Sequence, residues 1–227
     1  MYVAIEGLSI LLYILAMYPF KQSSIESSIK YYSLGALSSG ILLFSISLMY
    51  GITGAFDFFN IKTYFLFSFR GDQLILYLMV LSFIFSFLFK LSAFPGHMWA
   101  PDVYEGTWLP TTVFFMTVVK VSLYFFFIRF LVYFFYFVPI VYQDVLIISA
   151  LGSLVIGCFG SLYQHGLKRL FAYGSISQVG FSLIGLLCNS LSGIISSLIF
   201  FTIYIIVSMG VFTILLNSES FYSGKNL

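Results

Sequence analysis

The sequence predicts an all-α integral membrane protein of about seven transmembrane helices, and three observations carry that reading. Of 227 residues, 61% are hydrophobic and 8% charged, against about 25% charged in an ordinary soluble domain. So few charges cannot cover a globule of this size, so its solvent is largely lipid. The apolar residues also gather in runs close to the roughly 20 residues that cross a hydrocarbon core, separated by short polar or Pro/Gly-bearing stretches.

A formal net charge of +2 with scattered basic residues excludes nucleic acid as the expected partner and leaves lipids. Cys158 and Cys188 lie in apolar stretches without metal-ligand spacing and read as small apolar fillers. The abundance of Phe and Tyr suits a membrane protein from an AT-rich, organelle-type genome.

The first helix is expected from about Tyr2 to Tyr18, carrying Glu6 and ending at Pro19. A polar segment, Lys21 to Lys30, leads to a second helix from Tyr31 to Tyr50, whose Gly and Ser residues permit close helix approach. Residues 51–72 read as a connection bearing Asp57, Lys62, Arg70 and Asp72. The third helix starts near Gln73, contains Lys90 and breaks at Pro95-Gly96, where proline removes a backbone donor. A short second piece continues to Val103. Further helices are expected from Pro110 to Tyr136 with Lys120 near the middle, from Tyr142 to Tyr163, from Lys168 to Cys188 and from Leu191 to Leu216. These helices form one domain over 1–216, followed by a polar tail over 217–227. Alternating helix directions put Lys21, Lys30, Lys168, Arg169 and Lys225 on one face and Lys62 and Arg70 on the other. The positive-inside rule assigns the first face to the matrix or cytoplasm.

Glu6, Lys90 and Lys120 lie within apolar spans, where an ionisable group costs about 2.5–3.5 kcal/mol on insertion scales. They serve either a proton or ion path, or a structural ion pair and a snorkelling anchor. Snorkelling is hardest for Lys120, far from either end of its helix. Lys168 and Arg169, at a helix start, read by themselves as interface anchors, His97 and His165 as hydrogen-bonded loop residues, and Asp102 and Glu105 as solvated loop acids. A lysine suits proton relay because desolvation weakens its hold on the proton and a nearby carboxylate strengthens it. Ser122, Ser175, Ser177 and Gln178, with Lys30, are candidate polar supports for a row of Lys90, Lys120 and Lys168 at similar depth.

These residues also sit in recognisable strings. Phe89-Lys90-Leu91-Ser92-Ala93-Phe94-Pro95-Gly96-His97-Met98-Trp99-Ala100-Pro101-Asp102-Val103-Tyr104-Glu105-Gly106 resembles a signature of the antiporter-like subunits of respiratory complex I, in the form found in subunit 2 of mitochondrial NADH:ubiquinone oxidoreductase. The stretch from Leu167 to Phe181 resembles a motif shared across that family, and Glu26 to Tyr32 resembles the segment after its glutamate-bearing helix. The resemblance implies an antiporter-like fold with a broken helix. It matches Glu6 to the glutamate of the fifth family helix, and Lys90 to the pumping lysine of the broken seventh. Lys120 matches the linking lysine of the eighth, Lys168 the lysine of the tenth, and Lys30 a further lysine near the sixth.

It further implies a membrane-arm subunit of the mitochondrial inner membrane, or a bacterial inner membrane, that moves protons while NADH is oxidised and ubiquinone reduced elsewhere. NAD, FMN, iron–sulfur clusters and ubiquinone are then expected in other chains, because no cofactor or metal motif stands in this one. The helices correspond to family helices five to eleven. The partners expected are therefore other complex I membrane-arm subunits, including a chain that supplies the remaining helices and covers the Glu6 side and the last helix. Departures are Gly96 for a usual phenylalanine, Leu11 for a proline and Gln178 for a histidine. The alternatives are a structural membrane-arm subunit that no longer pumps and a cation/proton antiporter subunit. A seven-helix receptor fits the helix count but not the mid-membrane lysines.

Overall fold

In the computed structural model, residues 2–67, 73–133 and 139–223 are described, and every regular element among them is helical. α1 (Tyr2–Met17) stops just before Pro19. α2 (Gln22–Thr53) starts earlier than its hydropathy suggests and absorbs most of the polar segment. Serine makes this possible: Ser24, Ser27 and Ser28 donate to the carbonyls of Lys21, Ser24 and Ile25 at 2.8, 2.9 and 2.8 Å, so their hydroxyls are satisfied inside the helix. Gly54, in the left-handed region, ends α2 by donating its N–H to the Tyr50 carbonyl.

The connection after α2 contains a short helix, α3 (Phe58–Phe67), that the sequence reading lacked; Arg70 and Asp72 lie outside the described residues. α4 (Gln73–Lys90) and α5 (Trp99–Gly106) are the two pieces of the broken helix. α6 (Leu109–Phe114) passes through a π-helical turn (Phe115–Val119) into α7 (Lys120–Tyr133), so that one span is irregular in its middle; the expected end at Tyr136 lies outside the described residues. α8 (Pro139–Leu162) and α9 (Leu167–Leu187) follow. α10 (Leu191–Ser223) continues past Leu216 into the segment expected as a tail.

Five of the described spans are long and apolar enough to cross a membrane, and the apolar helices Tyr2–Met17 and Leu74–Lys90 are shorter. Together these account for the seven expected, and the chain is a multi-pass α-helical membrane protein. α2 packs against α1, α4 and α5, while α8 and α9 form a close hairpin flanked by α10. The hairpin is close because Gly157 of α8 packs against α9, where a Cβ would stand 2.7 Å from the Ser177 backbone nitrogen. The core is aromatic: Phe83 and Phe87 of α4 are fully buried, and Phe83 stacks on Phe130 of α7 at 4.1 Å. Ile195, Ile199, Ile203 and Ile206 of α10 point outward, an apolar face suited to lipid.

Candidate functional site

The helix break begins directly after Lys90, five residues before the proline that was expected to cause it. α4 closes with a left-handed cap: Ala93 N–H donates to the Leu88 carbonyl (2.8 Å), and Ser92 N–H to that of Phe89 (2.9 Å). Ser92 carries φ +59°, the conformation glycine usually supplies at this position. Residues 91–98 then leave the helix. Trp99 folds back and donates its Nε1–H to the Phe89 carbonyl at 2.8 Å, pinning α5 to the end of α4. Gly96 is pressed onto the same residue; a Cβ there would stand 2.6 Å from Phe89 Cα, which accounts for glycine here.

On one side of the break, Lys90 Nζ lies 3.4 Å from Glu6 Oε1 of α1. The pair is mostly enclosed, at 8% and 20% side-chain exposure. Ser9, one turn along α1, donates to the Glu6 carbonyl (2.8 Å) and reaches its carboxylate (3.3 Å). Next to the pair is a cavity of about 20 Å³ whose polar lining is Ser9, Tyr13, Tyr31, Ser38 and Lys90. That is room for one water.

On the other side is Lys120, the first residue after the π turn and 1% exposed. Its ammonium donates to Ser92 Oγ at 2.7 Å and to Ser175 Oγ of α9 at 2.9 Å, and stands 5.8 Å above the Tyr104 ring. Neutral hydroxyls and a π face thus hold this ammonium, and no carboxylate pairs with it among the described residues. Such an arrangement leaves the charge expensive and the proton available for transfer.

The remaining expected residues divide. Ser175 joins the site. Ser122 is exposed and bonds back to the Val119 carbonyl, and Ser177 bonds to Gly174 of its own helix. Lys168 does not share the depth of Lys120: it precedes Ser175 by seven residues on α9, about 10 Å of rise, and donates to the Thr107 carbonyl at 2.9 Å. Lys168 therefore lies outside the row expected for Lys90, Lys120 and Lys168. Gln178 lies half-buried on α9. Lys30 belongs to a surface network with Glu26 (2.9 Å) and Asp102 (3.7 Å), and Arg169 reaches Asp102 (2.9 Å) and Glu105 (3.5 Å). Asp102 and Glu105 are thus helical ion-pair partners joining α2, α5 and α9, not loop acids. Sequence reasoning missed Ser92, because a serine in a left-handed cap has no sequence signal. It also missed Tyr104, which reads as one more aromatic.

The sequence profile of a family described as "NADH:quinone oxidoreductase/Mrp antiporter, TM" matches residues 1–224. NADH-quinone oxidoreductase subunit N of Erythrobacter litoralis is 39% identical over 218 residues, 95% of this chain and 44% of the relative. NADH-ubiquinone oxidoreductase chain 2 of Marchantia polymorpha is 38% identical over 221 residues, 95% of this chain and 45% of the relative. The fold matches a chain of respiratory complex I from Thermus thermophilus with bound aureothin at TM-score 0.76 and 28% identity, covering 95% of this chain and 45% of that one. It also matches a chain of an archaeal membrane-bound sulfane sulfur reductase at TM-score 0.81 and 26% identity, covering 93% of this chain and 43% of that one. The chain spans about 45% of the length of these relatives.

Proposed function

We propose that this chain, which belongs to the NADH:quinone oxidoreductase/Mrp antiporter transmembrane family, translocates protons within the membrane arm of an NADH:ubiquinone oxidoreductase. The observation that supports this best is the buried Lys120 ammonium, hydrogen-bonded to the serine that caps α4 two residues beyond Lys90. One helix break thereby touches both lysines. Glu6 supplies the counter-charge that holds a proton on Lys90. A proton arriving on Glu6 cancels that charge and frees the proton of Lys90 toward the break. Ser92, fixed by the backbone cap, transmits a movement at the end of α4 to Lys120.

In this reading the redox chemistry lies in other subunits, where NADH, FMN, iron–sulfur clusters and ubiquinone act. The partners are other membrane-arm subunits, and the site is the mitochondrial inner membrane. The Marchantia relative is a plant protein, while the Erythrobacter relative is bacterial, and a bacterial inner membrane is the alternative placement. The test is Lys90→Met and Lys120→Met in the assembled complex, reconstituted in vesicles with NADH as electron donor. Proton uptake should fall in both while subunit composition is retained. Unchanged proton yield per NADH in both variants overturns the reading and leaves a structural subunit.

A further inference from the structure

Glu6 can serve Lys90 only where α1 holds it, and among the described elements α1 packs principally against α2. On its other faces Ile10, Leu11 and Ile14 point outward. Whatever fixes α1 along and around α2 therefore sets the place of the carboxylate. Tyr13 shares the face of Glu6, since seven steps of about 100° return to within about 20° of the start.

The phenol of Tyr13 reaches into a notch on α2 at Gly35, a buried residue. A Cβ on Gly35 would overlap the Tyr13 hydroxyl and stand 2.8 Å from its Cζ, so the notch exists because this residue is glycine. The ring meets Tyr31 edge-on at 4.8 Å and Tyr32 edge-on at 5.6 Å, and these neighbours restrict its swing. Tyr13 and Gly35 also line the cavity beside Lys90, together with Ser9 and Ser38. One rigid wedge thus sets the α1–α2 seam and forms part of the wall around the lysine.

We propose that Tyr13, seated against Gly35, is a positioning residue that holds Glu6 at Lys90. This rests on the proton-translocation reading. The wedge acts through α1: it limits sliding and rotation of the helix, and two turns away the Glu6 carboxylate meets the Lys90 ammonium at 3.4 Å. That distance is already long for a charged hydrogen bond, so a shift of about 1 Å along the seam breaks it. Tyr13 transfers no proton in this role; it supplies the distance between the two groups that do.

The test uses the assembled complex and two readouts. In vesicles with NADH as donor, Gly35→Ala should slow proton translocation about tenfold, less than the hundredfold that a misplacement of about 1 Å can cost. The second readout is the coupling between Glu6 and Lys90, measured by a double-mutant cycle of Glu6→Gln and Lys90→Met on thermal unfolding. With Gly35→Ala added to every member of the cycle, the coupling should fall by about half or more. A seam that is merely structural lowers the stability of all four members alike and leaves the coupling unchanged. Unchanged coupling therefore overturns the assignment, and so does wild-type translocation in Gly35→Ala. Should Gly35→Ala fail to assemble, Tyr13→Leu, which empties the notch, carries the same two expectations and the same overturning results. Glu6→Gln and Lys90→Met separate the two failures. Normal translocation in both removes the translocation reading itself, whereas impaired translocation in both beside a wild-type Gly35→Ala removes only the positioning role.

Discussion

Lys120 donates to Ser92 at 2.7 Å, and Ser92 is the left-handed residue that ends the helix of Lys90. A side chain that stabilises a buried ammonium is thus held in a backbone conformation that disfavours side chains. Ser92→Gly relieves the backbone and removes the acceptor; Ser92→Ala keeps the strain and removes the acceptor too. Both variants should slow proton translocation. The glycine variant should be the more stable by about 1 kcal/mol, the left-handed penalty for a residue with a Cβ. Thermal unfolding of the purified complex compares them, and an alanine variant more stable than the glycine variant refutes the strained cap.

Glu6→Gln removes the counter-charge of Lys90 while keeping the shape of the side chain. With Glu6 at 20% and Lys90 at 8% exposure, the destabilisation should be about 1–2 kcal/mol, below the 3–5 of a fully buried pair. Proton translocation should fall as well. In the double variant Glu6→Gln/Lys90→Met the stability loss should be smaller than the sum of the singles, which a double-mutant cycle on unfolding measures.

The network of Lys30, Asp102, Arg169 and Glu105 joins three helices at the surface. Asp102→Asn removes an acceptor shared by Lys30 and Arg169. The side chains of Asp102 and Arg169 are 40% and 38% exposed, so the change should cost no more than about 1 kcal/mol. Because exposed pairs are screened, the gap in melting temperature between variant and wild type should shrink in 1 M salt, where the Debye length is about 3 Å. A gap that salt leaves unchanged means the network contributes by packing alone.

Gly157→Ala places a methyl group 2.7 Å from the Ser177 backbone nitrogen. The α8–α9 hairpin cannot widen there without disturbing Ser175, two residues away. The variant should lose about 1–3 kcal/mol, the usual range for overpacking, and its translocation should fall with the Lys120–Ser175 bond. Normal melting and normal translocation would show that the hairpin is slack.

Much of the architecture was legible because lipid imposes a simple rule: backbone polarity must be satisfied within helices. Glu6, Lys90 and Lys120 stood out for the same reason, as charges where charge is expensive. What escaped reading depends on contacts between helices. The α2 start was hidden because serines that look like a loop satisfy their hydroxyls on their own helix. The Lys168 depth was hidden because a family position fixes a residue in sequence, not its height above Ser175. Ser92 and Tyr104 gave no signal, since their value lies in the Lys120 ammonium that faces them.

The π turn before Lys120 acts as a phase corrector. Along a regular α-helix each residue turns about 100°, so the eight steps from Thr112 to Lys120 would leave the two side chains about 80° apart. A π turn takes up one additional residue, the effective spacing becomes seven, and the residual angle falls to about 20°. Thr112, bonded to the Tyr104 carbonyl at 3.3 Å, and Lys120, poised over the Tyr104 ring at 5.8 Å, therefore address the same residue of α5. Were Phe115–Val119 regular α-helix with no residue removed, the eight steps would leave the side chains about 80° apart and swing one of those two contacts away from Tyr104. The irregular turn keeps both on one azimuth.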